Sequence, residues 1–118
     1  MIRRLVFALS SIALLSACSS SPSSPTPTTP GAVSIPVGAQ SLGAAGYNPD
    51  PITISSGSSV TWTNMDTTAH TATSDTAGLF DSGNIAPGAT FSHTFTSSGT
   101  VTYHCTLHQG MVGTITVH

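Results

Sequence analysis

Five short runs in the chain place apolar residues on alternate positions: Ile52 and Ile54, Val60 and Trp62, Phe91 and Phe95, Val101 and Tyr103, Ile115 and Val117. Serine, threonine or another small residue separates them in most cases. A repeat of two puts successive side chains on opposite faces of an extended strand, so each run offers one face to a core and one to water. Between the runs lie SSGSS (55–59), APGAT (86–90) and SSG (97–99), which read as turns. No segment sustains the 3.6-residue period of a helix. The pattern therefore predicts an all-β domain over residues 33–118, an antiparallel β-sandwich or barrel. The stretch MDTTAHTATSDTAG, residues 65–78, lacks alternation at its ends and reads as a loop. Pro36, Pro49 and Pro51 are placed to blunt sheet edges where lysine is absent.

Ahead of this region the chain changes character. Residues 1–17, opening MIRRLVFALSSIALLSA, join a basic stub to an apolar run from Leu5 to Leu15. That run is too short to span a bilayer and has the form of a secretory signal peptide. A buried core helix would not explain the paired arginines. Leu15-Ser16-Ala17-Cys18 resembles a bacterial lipobox, which implies cleavage before Cys18 and its acylation. The competing reading is a disulfide from Cys18 to Cys105, the other cysteine. A bridge from the edge of a linker would do little for a fold. More than one acyl chain gives stable anchoring. Residues 18–32 then hold the lipidated cysteine and a Ser/Thr/Pro-rich spacer with almost nothing to bury.

The two basic residues, Arg3 and Arg4, both lie in the segment expected to be removed. What remains has four acids, Asp50, Asp66, Asp75 and Asp81, and a formal charge of −4 with histidines neutral. Nothing is present to neutralise phosphates, which argues against a nucleic-acid partner. Little charge is left for steering, so docking must use apolar and polar surface.

The chemistry concentrates in YHCTLHQGM, residues 103–111. Tyr103 and Cys105 share one strand face and His104 the other. Beyond Cys105 the strand must yield to a loop, and C-x-x-H-x-x-M lets a thiolate, an imidazole and a thioether converge. That set suits copper, above all with the thioether at longer range. His70, at the end of an apolar strand and loop, is the upstream residue that can complete the set.

At these residues the chain resembles the cupredoxins, small blue-copper proteins such as amicyanin, plastocyanin and pseudoazurin. YNPDPITISSGSSVTWTNMD and the stretch from Phe80 to His118 carry the likeness, and Cys105, His108 and Met111 match the short ligand loop of amicyanin. The resemblance implies a Greek-key β-sandwich holding one type 1 copper ion. It implies His70, Cys105 and His108 as near-planar ligands and Met111 as the weak axial one. Two positions depart from the family pattern. Thr71 stands where asparagine often braces the ligand loop, and it can offer a hydroxyl to the backbone near Thr106. Leu107 stands where proline often precedes the second histidine.

Other residues have plainer readings. His93 is in register with Phe91 and Phe95 as a half-buried sheet residue. His104 is an exposed strand histidine, or an electron path to a second partner through Cys105. His118 is solvated. Tyr103, Trp62 and the phenylalanines are core, and no two aspartates are placed for acid/base work.

The expected function is a membrane-tethered carrier of single electrons, cycling Cu(II) and Cu(I), with no enzymatic activity. Redox partners would dock at the His108 edge, rimmed by Leu107 and Gly110, in brief encounters with a monomer. A copper storage, delivery or scavenging protein would use the same four residues. A Cys-His enzyme built on Cys105 would leave Met111 without a role, and zinc takes methionine poorly. The anchor places the protein outside the cytoplasm, on the outer membrane facing the periplasm or on the exterior of a single cell membrane.

Overall fold

The computed structural model describes residues 30–118. Among these residues seven strands form two sheets that pack face to face. β1 (Gly31–Ile35), β3 (Ser58–Asn64) and β5 (Thr90–Phe95) make one sheet, in the order β1-β3-β5. The other is β2-β7-β6-β4, from β2 (Ile52–Ile54), β7 (Val112–Val117), β6 (Gly99–His104) and β4 (Thr73–Ser74). All five alternating runs became strands, and every connection but β6–β7 crosses from one sheet to the other, in Greek-key fashion.

Two pairings differ from the purely antiparallel expectation. β1 runs parallel to β3, and β2 runs parallel to β7. Parallel neighbours need a long crossover. Residues 36–57 provide one between β1 and β3, and they carry β2 into the opposite sheet on the way. Two short 3-10 turns, Ala39–Ser41 and Gly43–Gly46, occupy the same crossover. Residues 65–78, read as loop, also hold the two-residue β4. β4 forms because Thr73 and Ser74 pair antiparallel with His104 and Tyr103, a partner that local sequence does not reveal.

Burial follows the pleat. β3 buries Ser58, Val60, Trp62 and Asn64 and leaves the residues between them half-exposed. β7 buries Gly113, Ile115 and Val117. At the centre Trp62 is fully buried. Its ring centroid lies 5.4 Å from Tyr103, 5.5 Å from Phe80 and 5.6 Å from Phe91. Tyr103 continues the cluster edge-on to Tyr47 at 4.6 Å. Aromatic pairs in this range gain about 0.5–1.5 kcal/mol beyond area burial. Gly113 pairs with Tyr103 across the β6–β7 ladder. A Cβ on Gly113 would sit 2.3 Å from the tyrosine Cζ, so glycine here is what admits the ring. His93 is half-buried, between Phe80 at 5.2 Å and Phe95 at 4.9 Å, and burial lowers its pKa.

Candidate metal centre

The site lies at one end of the sandwich, where β3 runs on to His70 and β6 runs on to Cys105. Asn64, the last residue of β3, is fully buried and organises the first approach. Its Nδ2 donates to the carbonyls of Thr68 and Ile85, each at 2.8 Å, and its Oδ1 accepts the Asp66 amide at 2.9 Å. These bonds close residues 64–70 into a tight loop. His70 then pairs through its backbone with Ile85 at 3.2 and 2.7 Å.

The His70 side chain is fully buried. Its Nε2 lies 2.8 Å from Asp66 Oδ2. A carboxylate there accepts a hydrogen bond from Nε2–H and leaves Nδ1 with a free lone pair. Asp66 is itself almost wholly buried and accepts amide hydrogens from Thr67 at 2.7 Å and Gly38 at 3.2 Å. The His70 bond, then the Thr67 amide, lower its pKa to about 2.

The second approach is the turn from Cys105 to Met111. The Cys105 amide donates to the Met111 carbonyl at 3.0 Å, and the Met111 amide donates to the His108 carbonyl at 3.3 Å. Gly110 has a φ of 85°, which L side chains rarely adopt, so glycine permits the turn. Met111 is fully buried. Its Cγ lies so close to Gly46 that a Cβ there would meet it at 2.8 Å.

Thr71 ties the two approaches together. The Thr106 amide donates to its Oγ1 at 2.8 Å, which is the bracing expected of a residue in this place. Its own amide donates to Cys105 Sγ at 3.3 Å. Tyr47 Oη donates to the Thr71 carbonyl, and burial, then the charge of Cys105, push that phenol well above its ordinary pKa.

Three donor atoms converge. His70 Nδ1 lies 3.1 Å from His108 Nδ1 and 3.8 Å from Cys105 Sγ, and His108 Nδ1 lies 3.5 Å from the same sulfur. A point equidistant from all three is about 2 Å from each, the reach of a first-row metal–imidazole bond and slightly under a metal–thiolate bond. With its Nε2–H turned to Asp66, His70 presents Nδ1 as a lone pair 3.1 Å from His108 Nδ1, so both ring nitrogens can point at one ion. The residues therefore fit one metal ion, and a nitrogen-and-thiolate set with thioether nearby suits copper.

Of the sequence-predicted site residues, His70, Cys105 and His108 meet here, with Met111 bonded into the same turn. Cys18 lies outside the described residues. Cys105 is free and buried. His93 and His118 stand apart from the site. His104 points outward as expected, and its Nδ1 lies 2.5 Å from Asp75 Oδ1. Hydrogen bonds from Thr102, then His104, lower the Asp75 pKa. Sequence reading missed Asn64 and Asp66. The aspartates were tested there only against one another, whereas Asp66 stands four residues before His70, a spacing that a loop can close into an ion pair.

Fold and site together define a β-sandwich domain with a thiolate–imidazole centre for one metal ion. Residues 33–118 match the model of the copper-binding proteins of the plastocyanin/azurin family, and the chain belongs to that family. It is a cupredoxin, and its cofactor is copper. It is 36% identical over 97 residues to a plastocyanin from Scenedesmus fuscus, covering 72% of this chain and 98% of that one. A purple cupredoxin from Nitrosopumilus maritimus superposes with a TM-score of 0.69 at 34% identity, covering 75% of this chain and 99% of that one. A reduced Cu(I) amicyanin variant gives 0.59 at 28% identity, with 75% and 82% covered.

Proposed function

We propose that the protein is a carrier of single electrons, and that His70 Nδ1, Cys105 Sγ and His108 Nδ1 would hold its copper, with the Met111 thioether as a fourth, weaker donor. The convergence of three donor atoms from two separately braced approaches carries this reading. Copper in such a set supplies a one-electron couple. The chain's part is to keep the donors where neither oxidation state demands rearrangement. Asn64, Thr71 and the backbone bonds of the 105–111 turn hold them in place.

His70, Cys105 and Met111 are buried and His108 is half-buried, so the imidazole of His108 is the natural port for electrons. Leu107 beside it is 47% exposed. Val37, Leu42 and Met65, on loops joined to the site through Gly38–Asp66 and the Gly43–Gly110 approach, are exposed as well. Redox partners would meet this uncharged apolar rim. Enclosed donor atoms suit a carrier better than an enzyme; a cavity of about 190 Å3 lies elsewhere, between Leu79, His93, Phe95 and Val101.

Export and anchoring through acylated Cys18 complete the reading, supported by the signal-like residues 1–17 and the lipobox-like Leu15–Cys18. The spacer would let the domain reach both donor and acceptor near one membrane. Repeated reduction and reoxidation in the presence of a strong Cu(I) chelator tests the carrier reading. A carrier retains its copper through the cycles, whereas transfer of the metal to the chelator on first reduction would favour copper delivery. Labelled fatty acid incorporated by the full-length protein but not by Cys18→Ser tests the anchor.

A further inference from the structure

Asp66 is a buried carboxylate in a domain with no lysine or arginine anywhere after Arg4. Its neighbours by hydrogen bond are two backbone amides and the far nitrogen of His70. Amides offer partial charge only. A copper ion held on the other side of the His70 ring would bring a full positive charge within reach. Given copper at the site, the oxidised centre with the Cys105 thiolate and Asp66 is electrically neutral, and the reduced centre carries an uncompensated negative charge.

We propose that Asp66 is a positioning residue of the copper centre that fixes His70 for coordination through Nδ1 and, by its charge, favours Cu(II) over Cu(I), lowering the reduction potential. The inference rests on the copper reading above. Reduction adds one electron from a redox partner, with no bond broken and no proton moved, so its equilibrium responds directly to fixed charge. A unit charge at about 7 Å in an effective dielectric of about 20 alters such an equilibrium by more than tenfold. Asn at this place removes the charge and can still accept a hydrogen bond from His70 Nε2–H, giving up the Gly38 and Thr67 amides that the other carboxylate oxygen holds.

The test is potentiometry of the copper-loaded full-length protein and its Asp66→Asn variant. The expected result is a retained visible charge-transfer band and at least a tenfold shift of relative affinity toward Cu(I), a rise of 59 mV for a one-electron couple. A midpoint unchanged in Asp66→Asn overturns the proposal. If Asp66→Asn fails to take up copper, the pair Asp66→Glu and Asp66→Gln makes the same comparison of charge at matched shape. A higher midpoint for Gln upholds the proposal, and equal midpoints overturn it. A wild-type protein with no charge-transfer band would instead overturn the copper-carrier reading itself, before any variant is compared.

Discussion

Replacing Thr71 by valine removes one oxygen and keeps the shape of the side chain. That oxygen accepts the Thr106 amide at 2.8 Å and lies 3.0 Å from Thr73 Oγ1, which also reaches Asp81 Oδ1 at 3.1 Å. Thr73 therefore keeps a partner in the variant, whereas the Thr106 amide loses the one it has. Thr71 is 2% exposed, so little water enters to replace it. Stranding a part-buried amide costs about 1–3 kcal/mol, and we take about 2 kcal/mol for this site. With a urea dependence of about 2 kcal/mol per molar, the unfolding midpoint of the copper-free protein should fall by about 1 M. Trp62 is the chain's single tryptophan and is fully buried, so its fluorescence reports the transition. The Thr71 amide, which donates to Cys105 Sγ, is untouched, so the copper-loaded variant should keep its visible band. A midpoint within about 0.2 M of wild type would refute the claim that Thr71 holds the two approaches together.

Other expectations follow from close contacts and charge. Gly113→Ala sets a Cβ 2.3 Å from the buried Tyr103 ring and should destabilise by about 3 kcal/mol or prevent folding, since overpacking costs about 1–3 kcal/mol where neighbours can yield; calorimetry would check this. Gly46→Ala meets Met111 Cγ and the Ala39 carbonyl oxygen at 2.8 Å, so it should alter the visible and electron paramagnetic resonance spectra of the copper protein more than it alters unfolding. The Asp66 pKa falls from an ordinary 3.8 to about 2 on folding. Its contribution to the copper-free fold is thus complete above about pH 4 and is lost as pH drops through about 2. Asp66→Asn should show a flatter loss of stability over that window in acid titrations followed by circular dichroism.

Five of the seven strands were legible because each carries its own alternation, as β3 does with Val60, Trp62 and the small residues between them; β1 (Gly31–Ile35) was missed, since it begins inside the segment read as spacer. β4 was missed because Thr73 and Ser74 become a strand only by lying against β6. The parallel pairings were hidden for a similar reason. Nothing local in GAVSI says which way its neighbour runs, and the crossover through residues 36–57 decides it. At the site, Cys105, His108 and Met111 were readable from spacing because one turn holds them all. His70, remote in sequence, was readable only because that motif calls for an upstream partner. Thr71 was foreseen as a hydroxyl brace for Thr106, and the bond is there. Asn64 and Asp66 escaped because their roles depend on loop closure around buried amides, which spacing alone does not encode.

Every role assigned to this site depends on copper bound by the Cys105 thiolate. The protein should be mixed with one equivalent of Cu(II) and its visible absorption recorded beside that of Cys105→Ser. An intense thiolate-to-copper charge-transfer band in the wild type, absent from Cys105→Ser and smaller in its change for Met111→Leu, is the predicted result. Weak d–d absorption alone, or a spectrum indifferent to the loss of the thiol, would contradict it.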